Sequence, residues 1–103
     1  MKISLAQINP TVGDIESNRK LIVKHAKIAE KSKAEILITP ELSICGYPPE
    51  DLLLSEEFIK KCNQSILKIA KEFPKLKIIV GHPRISKGLL FNSASLLNKG
   101  KIE

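Results

Sequence analysis

The residue types that most often make and break bonds are sparse in this sequence: two cysteines, Cys45 and Cys62, two histidines, His25 and His82, and one carboxylate, Glu41, in distinctive company. In chain order the first four are separated by twenty, seventeen and twenty residues, so none forms the close pairs, such as C-x-x-C or H-x-x-x-H, that hold zinc. Cys62 falls on the apolar stripe of a helical segment and reads as a small core residue, and His25 lies near the buried side of another. His82 follows Gly81 at a strand end, where ligand-lining residues occur, but no partner is in view. Gly81, Gly88 and Gly100 match neither a dinucleotide fingerprint nor a phosphate-binding loop. Glu41 stands apart. It lies two residues beyond an apolar strand run, at the carboxyl end where ligands bind in open α/β sheets. Pro40 stiffens the backbone before it and Gly46-Tyr47-Pro48-Pro49 the loop after it, so the carboxylate is positioned at low entropic cost. A carboxylate at a partly buried strand end suits a general base.

The elements that must hold these residues alternate. Lys2–Asn9 is predicted as a strand ended by Asn9-Pro10, with Gly13-Asp14 completing a turn. A helix follows, capped by Asp14 or Ser17, with Leu21, Ile22, His25, Ala26, Ile28 and Ala29 at helical spacing and lysines on the other face. Glu35–Thr39 is a short apolar run of the kind covered on both faces, stopped by Pro40. Beyond the loop, a second helix spans about Ser55 to Phe73, with Phe58, Cys62, Ile66, Ile69, Ala70 and Phe73 as its buried stripe. Leu76–Gly81 and Leu89–Leu97 are predicted strands, and Asn98-Lys99-Gly100 a hairpin turn into Lys101–Glu103. The order β-α-β-α-β-β, with the start of another strand, implies an α/β sheet whose early strands are parallel.

Composition narrows the function classes. At 103 residues with 43% apolar content the chain is long enough for one folded unit and too short for two. No apolar run approaches a membrane span and the N-terminus lacks a signal-peptide pattern, so the expectation is a soluble, cytoplasmic protein with no membrane partner. The net charge of +6 is uneven: residues 1–57 carry seven bases and nine acids, residues 58–103 ten bases and two acids. Fifteen of the seventeen bases are Lys and none is interleaved with aromatics, which favours solvated helix faces over nucleic-acid readout. The last strand is amphipathic on neither side: Leu89, Phe91 and Leu97 mark one face and Leu90, Ala94 and Leu96 the other. Two helices cannot cover both faces. The chain is therefore expected to be the N-terminal part of a larger fold or to depend on a partner.

The run TPELSICGYPPEDLLLSEEF, residues 39–58, resembles the first signature of the nitrilase, or carbon-nitrogen hydrolase, superfamily. G-Y-P-P-E-D-L-L-L within it resembles in particular the branch that forms the glutaminase domain of glutamine-dependent NAD synthetases. KISLAQINPTVGDIESN (2–18) is similar to that family's first strand and turn, and VGHPRISKGLLFNSASLLNKGKI (80–102) to its third strand and following hairpin. The resemblance implies an α-β-β-α sandwich of which residues 1–103 are the N-terminal portion, and a Glu-Lys-Cys triad. In that triad the Cys attacks the glutamine side-chain amide to give a thioester, the Glu is general base and the Lys stabilises the oxyanion. The ammonia released goes to a separate domain, needing ATP and magnesium, that amidates deamido-NAD. Only the Glu carries over, as Glu41; Tyr47 matches a tyrosine near the glutamine pocket. The Lys and Cys of the family fall beyond the hairpin, and neither Cys45 nor Cys62 occupies the place of the nucleophile. The isolated chain is accordingly expected to be inactive and a full-length form to be a homo-oligomer. Another nitrilase-branch amidase, or a non-catalytic interaction module, are the alternatives.

Overall fold

In the computed structural model, which describes residues 1–103, the first half of the chain forms β1 (Ile3–Leu5), α1 (Ile15–Lys31), β2 (Ile36–Ile38) and a short 3-10 helix (Glu50–Leu54). The second half forms α2 (Glu56–Glu72), β3 (Lys77–Ser86), β4 (Leu89–Asn98) and β5 (Lys101–Ile102). The strands lie in one sheet in chain order, β1-β2-β3-β4-β5. β1, β2 and β3 are parallel, with Ser4 opposite Leu37 and Leu37 opposite Ile78, whereas β3, β4 and β5 are successive antiparallel neighbours. Two crossovers that step the same way across a sheet with the same hand leave both helices on one face.

The helices begin where their sequences provide acceptors for free N–H groups. Asp14 caps α1 by accepting from the Ser17 N–H at 3.1 Å, and Ser55 caps α2 by accepting from the Phe58 N–H at 3.1 Å. Their apolar stripes meet the sheet in a single core: Ile22, Ala26 and Ala29 from α1, Cys62, Ile66, Ile69 and Ala70 from α2, and Leu37, Ile78, Val80 and Leu97 from the strands. Ile28 departs from the expected stripe. It is 52% exposed and lines a surface cleft with Val23, Lys24 and Glu72 of α2 instead of entering the core.

Strand lengths depart from expectation in two places. β1 is shorter than the predicted Lys2–Asn9, because after the Ala6 N–H bonds the Ile38 carbonyl at 2.9 Å the chain leaves the sheet toward the turn before α1. β3 runs past Gly81 to Ser86 and pairs residue by residue with β4, from Ile78 opposite Leu97 to Ser86 opposite Leu89. Pro83 is tolerated there because β2 ends opposite Ile79, so the rest of β3 is an edge on that side. Two-residue turns close both hairpins. Lys87-Gly88 has φ of 52° and 76°, and Lys99-Gly100 has 54° and 78°, the left-handed pairs that match strand twist.

The other face of the sheet carries no helix. Ile3 and Leu5 of β1 are 53% and 67% exposed there, beside the half-buried Ile36, Ile38, Ile79 and Leu96. The expectation that two helices cannot cover both faces holds in these residues. No helix is long and apolar enough to cross a membrane.

Candidate active site

Glu41 emerges on the helix-free face, three residues after β2 ends. The chain leaves β2 under tight control. The Thr39 N–H and hydroxyl both bond the Ile79 carbonyl at 3.0 Å, and Ser43 Oγ lies 2.8 Å from Thr39 Oγ1. A threonine hydroxyl has one proton; with that proton given to Ile79, Ser43 donates to Thr39. Leu42 then takes a left-handed φ of 49°, and its carbonyl accepts from the Cys45 and Gly46 N–H groups at 3.2 and 2.9 Å. The Ile44 N–H returns to the Gly81 carbonyl at 3.3 Å.

Gly81 makes this seat possible. A Cβ at that position would lie 2.4 Å from the Leu42 nitrogen and 2.6 Å from the Pro40 oxygen, so the backbone carrying Glu41 rests directly on β3. Gly46 does the same on the far side of the loop, where a Cβ would come within 2.6 Å of the Val12 Cα. Its φ of 81° also requires glycine. Asn18, the one buried residue in the first turn of α1, ties these parts together. Its side chain accepts from the Thr11 N–H at 2.7 Å and donates to the carbonyls of Thr11 at 2.8 Å and Ile44 at 3.1 Å. The Gly13 N–H adds a bond to the Cys45 carbonyl at 2.9 Å.

The carboxylate lies in a shallow cleft of about 200 Å3 lined by Thr39, Pro40, Ile79, Gly81, Asn92 and Ala94, among others. Asn92 of β4 donates its amide N–H to Glu41 Oε1. Glu41 is exposed, which corrects the expectation of a partly buried carboxylate, because no helix packs over this face of the sheet. No protein hydrogen bond reaches its second oxygen, since the only side-chain bond to Glu41 is the one from Asn92 to Oε1.

The other candidates lie elsewhere. His82 is buried on the helix-covered face, with Nε2 2.6 Å from Ser95 Oγ and Nδ1 3.2 Å from the Pro83 carbonyl. Burial pushes its pKa below the ordinary histidine range. It is a satisfied core histidine on the opposite side of the sheet from Glu41. Cys45 is buried in the core, its thiol directed to the carbonyls of Leu42 at 3.6 Å and Gly46 at 3.4 Å, and outside the Glu41 cleft. Contact with the Cys45 sulfur, and then burial, push the Cys62 thiol up. His25 is half-buried on α1. Tyr47 is 64% exposed and does not line the cleft.

Sequence reasoning singled out Glu41 and missed three residues that hold it: Gly81, Asn18 and Asn92. A glycine inside a strand signals close backbone approach, but Gly81 stands at the end of the predicted run Leu76–Gly81, where it reads as a boundary. Asn92 comes from fifty-one residues away, and no local pattern announces it.

A family model described as carbon-nitrogen hydrolase matches residues 2–102. A glutamine-dependent NAD(+) synthetase of Synechocystis sp. is 40% identical over 109 residues, covering 98% of this chain and 20% of its own length. The crystal structure of a glutamine-dependent NAD(+) synthetase from Cytophaga hutchinsonii superposes with a TM-score of 0.93 at 31% identity, over 98% of this chain and 17% of that one. An amidase from Nesterenkonia sp. shares the fold, with a TM-score of 0.86 at 24% identity over 100% of this chain and 40% of its own. The chain spans about a fifth of the length of the curated relatives it matches.

Proposed function

The chain belongs to the carbon-nitrogen hydrolase family, and from that membership we propose that residues 1–103 are the base-bearing N-terminal portion of a glutaminase domain that supplies ammonia for NAD synthesis. The observation that carries this reading is the seating of Glu41. Its carboxylate stands at the carboxyl end of a parallel strand, on the uncovered face of the sheet, over a glycine that admits the loop and beside an amide that fixes one oxygen. Likeness to glutamine-dependent NAD(+) synthetases over nearly the whole chain supports the choice of branch.

In this proposal Glu41 takes the proton of a cysteine thiol supplied by chain beyond residue 103, as that sulfur attacks the glutamine carboxamide carbon. A lysine, also from that later chain, stabilises the oxyanion. Glu41 returns its proton to the departing ammonia, and on the second half-reaction deprotonates the water that cleaves the thioester. Tyr47, exposed in this chain, is assigned to the glutamine pocket. ATP and magnesium belong to the synthetase part. No group of three His, Cys, Asp or Glu side chains in this chain is placed to hold a cation. A homo-oligomeric full-length form and a cytoplasmic location are part of the same proposal.

The test is ammonia release from glutamine by two polypeptides: the 103-residue chain, and a completed enzyme in which these residues are joined to the remainder of the Synechocystis relative. The chain alone is expected to release none, since a base without nucleophile or oxyanion donor forms no acyl-enzyme. The completed enzyme is expected to turn over glutamine in preference to other amides. A preference for a different amide would point to another nitrilase branch.

A further inference from the structure

Building on the reading of Glu41 as general base, we infer that Asn92 is the residue that positions it: a neutral side-chain donor on β4 that fixes one carboxylate oxygen and leaves the other free to accept the substrate-side proton. Glu41 has three side-chain torsions and sits on an exposed surface, so its carboxylate needs a tether to be held in one place. The only side-chain hydrogen bond it makes is the one from Asn92 Nδ2 to Oε1.

The sheet is arranged to permit that bond. Asn92 stands opposite Pro83, and on the same face the next pair along is Gly81 opposite Ala94. A hydrogen atom and a methyl group leave a low saddle between the loop and β4. With no Cβ at Gly81, the loop backbone settles onto β3 and the Glu41 carboxylate comes within reach of the Asn92 amide. A larger pair at Gly81 and Ala94 would lift the loop or fill the gap. β4 is a firm platform, paired with β3 at nine successive positions and closed at both ends by two-residue turns.

The chemistry of the donor also fits. An amide N–H carries no charge at any working pH and donates without taking a proton away. A lysine or arginine in its place would hold the carboxylate firmly ionised and make it a weaker base. A hydroxyl would be too short and free to rotate into an acceptor role. Asparagine gives orientation without adding a charge, and its contact is directed at Oε1 alone.

Two measurements test this. In the 103-residue chain, ¹⁵N-edited spectra report the Asn92 side-chain amide directly. Its bonded proton is expected downfield and should move upfield in Glu41→Ala; a resonance indifferent to that change would overturn the contact. In the completed enzyme, Asn92→Leu keeps the branched outline and loses the donor, whereas Asn92→Gln keeps a donor on a longer stem. The expected result is a fall in kcat of up to about 100-fold for Asn92→Leu, with the KM for glutamine and the thermal midpoint unchanged, and partial recovery in Asn92→Gln. A residue that merely packs would give the reverse order, Leu tolerated and Gln harmful, and that order would overturn the inference. Failure of the underlying reading shows differently. Wild-type turnover in Glu41→Gln would remove the general base itself, whereas a silent Glu41→Gln beside a fully active Asn92→Leu would remove only the role of Asn92.

Discussion

The two faces of the sheet are built from similar residues and behave as opposites. Leu37 and Leu5 lie on adjacent strands, yet Leu37 is sealed beneath the helices and Leu5 is 67% exposed on the other side. The covered face has absorbed three of the residues that looked reactive: His82 is paired with Ser95, and Cys45 and Cys62 are packed into the core. The uncovered face keeps Glu41, with one oxygen tethered and one free. Stability therefore resides on one side and the proposed chemistry on the other. The loop from Thr39 to Gly46 is the place where they are joined, since its buried hydroxyls and Asn18 clamp belong to the first and its carboxylate to the second.

That division can be broken at several points. Glu41→Gln in the completed enzyme should lower the rate of ammonia release by about 10²- to 10⁴-fold with no change in thermal midpoint, as removal of a general base does. On the covered face, Leu37→Ala is expected to cost about 2–5 kcal/mol in denaturant unfolding. Leu5→Ala, the same chemical change on the opposite face, should stay within about 0.5 kcal/mol in the isolated chain. Gly81→Ala strikes both sides at once. Its new Cβ meets backbone, so a destabilisation of about 1–3 kcal/mol is expected, together with loss of turnover from the displaced loop. Asn18→Ala strands the Thr11 and Ile44 groups it now satisfies, at about 1–3 kcal/mol.

The smallest effect is the pH dependence from His82. Burial lowers its folded-state pKa below the unfolded value of about 6.5, so the unfolded chain binds the proton first. The stability present above about pH 6.5 is lost as the pH falls below it toward the folded pKa. Unfolding midpoints measured from pH 7.5 downward should show this decline, and a His82→Asn variant that stays folded should flatten it.

Much of the scaffold was legible because its signals are local. Asp14 and Ser55 announce the helix starts, and the stripe from Phe58 to Phe73 gives α2 to within a residue at each end. The strand elements were read less well where neighbours decide. The extension of β3 through Gly81 and Pro83 contradicts strand propensity, and it occurs because β4 pairs along its whole length while β2 has already ended. Lys87-Gly88 lacks the asparagine that marks the turn at Asn98-Lys99-Gly100, although both turns hold a Lys-Gly pair at positive φ. At the site, Glu41 was identifiable from its place after a strand and from the proline-rich run that follows. Its supports were not, since Asn18, Gly81 and Asn92 reach it only after the chain has folded back on itself. The exposure of Glu41 was unreadable for the same reason: burial belongs to whatever faces the open side.

The most direct test of the central claim, that Glu41 is a general base whose nucleophile and oxyanion donor come from chain beyond residue 103, is steady-state ammonia release from glutamine. None is expected from the 103-residue chain, turnover is expected from the completed enzyme, and near silence from its Glu41→Gln variant. Undiminished release in that variant, or release from the isolated chain that Cys45→Ser abolishes, would contradict the account.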